Sequence, residues 1–125
     1  MASLEYGQIA STDPVRKEET LAIDTEAAVR QYFSDIPVMV QVARCESHFR
    51  HTLADGTVLK GAVDGRDTGV MQINTGYHAA AAADLGLDLT DLRDNMTYAR
   101  HLYETQGTNP WSASRSCWGN TIALR

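Results

Sequence analysis

Positive charge is scarce in this chain. Eleven lysines and arginines face sixteen aspartates and glutamates across 125 residues, a formal net charge of -5. Nucleic-acid binding draws on clustered Lys and Arg, so a broad electrostatic grip on nucleic acid is excluded. Long apolar runs are also missing. The alanine-rich stretch from Ala79 to Ala83 is far shorter than a membrane span, so no membrane insertion is expected. The first residues carry Glu5, Asp13, Arg16, Lys17, Glu18 and Glu19 and no apolar core, which does not read as a signal peptide. No internal repeat is visible. Cysteine is nearly absent. The two that exist, Cys45 and Cys117, leave two states open, one bridge or two buried thiols. A bridge would place the protein outside a reducing cytosol, in the cell envelope or secreted.

What remains is ordinary for a folded domain. Apolar residues make up 43% and charged residues 22%, enough for one modest core. Residues 1–22 mix Gly, Ser, Asp, Pro and charges without periodicity and read as a flexible leader or linker before a domain at 23–125. Asp24 or Thr25 is a candidate cap for a helix reaching Phe33. Pro37 suits the first turn of a second helix, with Val38, Met39 and Val42 at helical spacing. The turn dipeptides Asp55-Gly56 and Asp64-Gly65 bracket a predicted small β-hairpin or sheet over about 57–73. Tyr77 to Leu85 reads as a helix stopped by Gly86. A later helix, capped by Asp94, has Met96, Ala99, Leu102 and Tyr103 on its inner face and Gly107 as its stop. Asn109 to Trp118 is too aromatic for a solvated linker. The fold class expected is α+β, mainly helical.

Glu46 interrupts the apolar stripe of the second helix. It lies four residues after Val42 and eight after Val38, so the stripe ends in a carboxyl group. Burial and the negative end of the helix dipole both disfavour its ionised form. A carboxyl kept protonated near neutral pH suits a general acid. The plainer reading is a surface Glu paired with Arg44 or Arg50.

The segment Cys45-Glu46-Ser47-His48-Phe49 is followed about twenty residues on by Gly69-Val70-Met71-Gln72-Ile73-Asn74, and later by Asn95-Met96-Thr97-Tyr98-Ala99-Arg100-His101-Leu102-Tyr103. In that order, over residues 35–119, they resemble the lysozyme-like superfamily, and most of all soluble lytic transglycosylases and goose-type lysozymes. The resemblance implies a helical lysozyme-like fold with a small β element at a sugar cleft. It implies Glu46 as the acid that protonates the bond between N-acetylmuramic acid and N-acetylglucosamine, sugar contacts at Met71, Gln72 and Asn74, and Ser47 beside the acid at the substrate site. It implies no metal or cofactor. The expected partner is peptidoglycan glycan strands, met by a monomer.

The second carboxylate distinguishes two reaction courses. Asp67-Thr68-Gly69-Val70-Met71-Gln72-Ile73-Asn74 resembles the strand of animal-type lysozymes whose Asp is catalytic, which makes Asp67 a candidate for hydrolysis. Lytic transglycosylases lack that Asp and use the substrate's N-acetyl and 6-hydroxyl groups. The alternative for Asp67 is a turn residue paired with Arg66. The transglycosylases' cleft-tyrosine segment has no counterpart here, so Tyr77 is the candidate replacement. Trp111 and Trp118 are candidates for a sugar-stacking wall, with core packing as the alternative. His48 and His51 match no recognised ligand spacing, so no metal is expected. A non-catalytic glycan-binding module would keep Gln72, Asn74 and the tryptophans without needing Glu46.

Overall fold

The computed structural model describes residues 13–123, and describes the backbone alone at 121–123. The chain is a mainly helical α+β protein. Helix α1 spans Pro14–Tyr32 and α2 Pro37–Ser47. The two-residue strands β1, Asp67–Thr68, and β2, Ile73–Asn74, pair antiparallel with Asp67 opposite Asn74. Then come α3, Thr75–Asp84, and α4, Leu92–Gln106. A 3-10 segment, Asn109–Ser114, runs into α5, Arg115–Ala123.

Three boundaries differ from the sequence reading. Helix α1 begins at Pro14, with Asp13 as its cap accepting from the Val15 N–H at 2.9 Å. Residues 14–22 are therefore helical rather than a leader, while 1–12 lie outside the described residues. Proline in the first turn starts this helix as it starts α2, and the Glu18 carboxylate accepts from the Ala54 N–H, fastening the new turns to the body. Helix α4 is capped by Asp91 rather than Asp94, whose own N–H is the donor to the Asp91 carboxylate at 3.0 Å. The β region is smaller than expected. Beyond the two short strands there are isolated bridges, Thr52 to Val58 and Lys60 to Thr68.

Helix α2 lies at the centre. Val38, Met39, Val40, Val42 and Ala43 are buried in one cluster with Val29 of α1, Phe33 just beyond its end, and Met96, Ala99 and Leu102 of α4. Full burial of a side chain of Val or Met size stabilises by roughly 1.5–3 kcal/mol, so this seam is a major source of order. Helix α2 also packs on α5 and on the 3-10 segment. Arg100 of α4 locks the α1–α2 corner, donating to both Asp35 oxygens at 2.9 Å and to the Tyr32 carbonyl at 2.8 Å.

Candidate active site

Helix α2 stops one residue after Glu46 because the chain turns sharply. Ser47 is its last residue, and His48 and Phe49 both take left-handed backbone, at φ 53° and 60°. Glu46 is thus set in the last turn, where the helix dipole opposes a negative charge. Its carboxyl is one wall of a cleft of about 300 Å³ lined also by Asp67, Gln72, Asn74, Tyr77, His78, Gln106 and Trp111. No Lys or Arg is among the cleft's lining residues. The Ser114 hydroxyl donates to Glu46 Oε2 at 2.6 Å. Burial pushes the Glu46 carboxyl above the usual range, the Ser114 hydrogen bond pulls it back, and the negative charge of Asp67 raises it further. Burial is the largest of the three, so the net effect favours the protonated acid.

The opposite wall is built from turns. Asp67 heads β1, and its carboxylate accepts from Asn74 Nδ2 at 3.1 Å across the ladder. Arg66 does not pair with Asp67, correcting the turn-pair alternative. It donates to Asp64 instead, from the backbone N–H at 2.9 Å and from the guanidinium at 3.0 and 3.1 Å. Arg66 holds the partly exposed Asp64 carboxyl down at about 2, with its side chain the largest cause. Asn74, which donates to Asp67, also caps α3, its Oδ1 accepting from the Tyr77 N–H at 3.2 Å.

Between the walls, the hairpin is hung from buried side chains. Asn95 accepts from the Met71 N–H at 3.0 Å and donates to the Thr68 carbonyl at 3.0 Å and the Leu89 carbonyl at 2.8 Å. His51 Nδ1 accepts from the Val70 N–H at 3.0 Å. Its Nε2 therefore carries the proton and donates to the Thr90 carbonyl at 2.7 Å, one tautomer fixed by its neighbours. Burial lowers the His51 pKa, as a neutral ring at this position requires. Gly69 makes the arrangement possible. At φ 72° a Cβ there would lie 2.6 Å from the His51 ring and 2.7 Å from Asn95 Nδ2, so no larger residue fits.

The predicted site residues divide accordingly. Glu46, Asp67, Gln72, Asn74, Tyr77 and Trp111 share the cleft. Tyr77 stands at its rim, 78% exposed, with the Arg66 guanidinium 6.0 Å from its ring. Ser47, Met71 and Trp118 are not at the cleft. Ser47 is wholly buried and its hydroxyl donates to the Ala43 carbonyl at 3.0 Å. Met71 is a core side chain whose carbonyl accepts the Trp111 indole N–H at 2.8 Å. Trp118 is buried beneath Ser114 and Trp111, donating to Ser114 Oγ at 3.1 Å and the Trp111 carbonyl at 3.2 Å. Trp111 is itself only 2% exposed, so it serves as cleft floor more than as a stacking platform. Cys45 and Cys117 form a disulfide, with Cα atoms 6.0 Å apart, that ties the end of α2 to α5.

Ser114, His78, Gln106 and Asn95 gained no role from the sequence. The Ser114 signal lay in the cysteines: a Cys45–Cys117 bridge brings the residue one turn before Cys117 close to the neighbour of Cys45. His78 Nδ1 lies 2.9 Å from the buried Tyr98 hydroxyl, leaving Nε2 as the ring's other polar atom. Among the described residues no group of three or more His, Cys, Asp or Glu is placed to hold a metal ion. A larger groove of about 670 Å³ lies between α1 and α4, lined by residues including Tyr32, Asp91 and Arg93. The one carboxylate lining it, Asp91, is used as the α4 cap and the groove holds no buried acid, so the smaller cleft is the candidate site. No protein-family model, curated protein or solved structure matches the chain.

Proposed function

We propose that this protein is a lysozyme-like glycosidase that cleaves the β-1,4 bonds between N-acetylmuramic acid and N-acetylglucosamine in peptidoglycan. The observation that carries the reading is a half-buried carboxyl, Glu46, raised in pKa on the wall of a cleft whose other polar groups are amides, a phenol, an imidazole and one carboxylate. Such a lining suits a neutral, hydroxyl-rich chain. The ordered motifs around Glu46, Gln72 and Asn95 supply the peptidoglycan part of the reading. The disulfide supports an extracytoplasmic place of action.

In the reaction, Glu46 gives its proton to the glycosidic oxygen as the bond from that oxygen to C1 breaks. In the transglycosylase course the substrate's N-acetyl group supports the positive charge at C1. The 6-hydroxyl then attacks C1 and returns its proton to the Glu46 carboxylate, leaving a 1,6-anhydro end. One observation favours a hydrolytic course beside it. Asp67 lines the same cleft and is not clamped by Arg66, leaving it available as the second carboxylate that retaining glycosidases use. Tyr77 at the rim and Gln72 and Asn74 on the turn wall would hold the sugar.

Glu46→Gln should lower the clearance of cell-wall suspensions by roughly 10²- to 10⁴-fold, the range of general-acid catalysis. Unchanged clearance would remove Glu46 as the acid and leave a glycan-binding module as the better account. Mass spectrometry of the released muropeptides separates the two courses. Ends lighter by one water identify the anhydro route. Reducing ends, lost on Asp67→Asn, identify hydrolysis.

A further inference from the structure

Three partners surround the Ser114 hydroxyl. Glu46 Oε2 lies at 2.6 Å, the Trp111 carbonyl at 3.1 Å and the Trp118 indole N–H at 3.1 Å. A hydroxyl has one proton and two lone pairs, and an indole N–H can only donate. Trp118 therefore takes a lone pair of Ser114. The single Ser114 proton must go to one of two oxygens. The Trp111 carbonyl has a donor of its own, the same Trp118 N–H at 3.2 Å. The Glu46 oxygen is nearer by half an ångström and carries charge when ionised, which makes it the stronger acceptor.

The consequence falls on the other oxygen of Glu46. Oε2 is occupied as an acceptor, whereas Oε1 has no hydrogen-bond partner among the described residues. No buried side-chain oxygen there lacks a partner either, so Oε1 is open to solvent in the cleft that Glu46 lines. We propose that Ser114 is the positioning residue of the Glu46 acid, donating to Oε2 of the carboxylate, so that the acid's proton is taken up at the unoccupied Oε1, the oxygen that meets the ligand. The proposal rests on the glycosidase reading for its purpose but not for its geometry. Proton transfer from Oε1 to the glycosidic oxygen then needs no movement of the carboxyl. Ser114 also tempers the rise in pKa that burial imposes. The other titratable groups lining the cleft are Asp67, whose charge acts in the opposite sense to Ser114, and Tyr77 and His78.

The test is a titration of the Glu46 side-chain carboxyl by carbon-13 NMR in the wild type, Ser114→Ala and Ser114→Thr. Loss of the donor in Ser114→Ala should move the Glu46 midpoint upward, and Ser114→Thr should restore it. The basic limb of the cell-wall clearance profile should shift upward in Ser114→Ala. Its kcat should fall roughly tenfold, the scale of one charge-assisted hydrogen bond, with KM little changed. An unaltered Glu46 midpoint in Ser114→Ala overturns the proposal. Should that variant fail to fold, the wild-type proton spectrum decides. A Ser114 hydroxyl proton slow in exchange and shifting with the Glu46 titration supports the proposal, and one exchanging as in open solvent overturns it. The titration needs no substrate. If Glu46→Gln leaves clearance unchanged while Ser114→Ala moves the midpoint, the glycosidase reading fails and the control of the carboxyl by Ser114 stands.

Discussion

The two walls of the cleft are built in opposite ways. The acid wall is packed helix: the end of α2, the 3-10 segment and α5 joined by the Cys45–Cys117 disulfide, with Trp111 and Trp118 buried behind Glu46. The facing wall is a run of turns and two-residue strands held by polar contacts, with Arg66 exposed and Asp64 partly so. Their carboxylates differ accordingly. Glu46 is raised by burial, whereas Asp64 is held low by a guanidinium and a backbone N–H. A proton donor needs a dry, rigid wall, and a carboxylate meant to stay ionised needs a wet one. The pair shows how a small domain separates the two, with the acid in the cleft where helices meet and the clamped carboxylate outside the cleft lining, where the chain turns.

Removing the bridge is the strongest way to erase this difference. In the chain-entropy account, closing a loop with a sequence separation of 72 residues stabilises by about 4 kcal/mol. The double variant Cys45→Ser with Cys117→Ser should lose about that much in urea unfolding. Its amide exchange should quicken most in α5 and the 3-10 segment, and least in residues 57–74. Equal quickening on both sides would mean that the acid wall owes nothing particular to the bridge.

A smaller loss probes the joint between the walls. Asn95 serves three buried backbone groups at once, those of Met71, Thr68 and Leu89. Asn95→Ala leaves them without this partner, a cost of about 3 kcal/mol at the usual penalty for buried unsatisfied groups. Because the joint holds the hairpin against α4, the variant should also weaken the glycan binding proposed for the cleft while the Glu46 midpoint moves little. A Glu46 midpoint that moved as far as in Ser114→Ala would show that the two walls are not separable.

The two walls were also unequally legible in the sequence. Pro37 and the Val38, Met39 and Val42 spacing marked α2, and the same periodicity placed Glu46 at the end of its stripe, because a packed helix writes its burial into every third or fourth residue. Gly107 marked the end of α4 for a similarly local reason. The turn wall left no such trace. Its strands are two residues long, too short for an alternating pattern, and its order comes from Asn95 and His51, which reach it from 24 and 19 residues away. The start of α1 was hidden by charge. Residues 14–22 have few apolar side chains, and Pro14 with Asp13 as cap was the only local sign of a helix. Ser47 and Met71 show the limit of motif matching. Both sit inside the resemblance, yet one is a buried hydroxyl bonded to its own helix and the other a core side chain, and only the packing tells a contact residue from its support.

Asp64→Asn should have the smallest effect, and its pH dependence tests the wet side of the contrast. The Asp64 side chain is 34% exposed and that of Arg66 60%, so solvent screens their pairing and the variant should melt close to the wild type at pH 7. The sign of the remaining difference is fixed. The folded pKa, about 2, lies below the ordinary value of 3.8, so the unfolded chain binds the proton more readily in that interval. Whatever stability the pairing adds is present above pH 3.8 and is lost as pH falls toward about 2, so the melting curves of the two proteins should converge in acid. Thermal melts at a series of pH values measure this. A loss at pH 7 as large as that of the bridge-less variant would make the turn wall as firmly built as the acid wall. The assignment of stiffness to one side and hydration to the other would then fail.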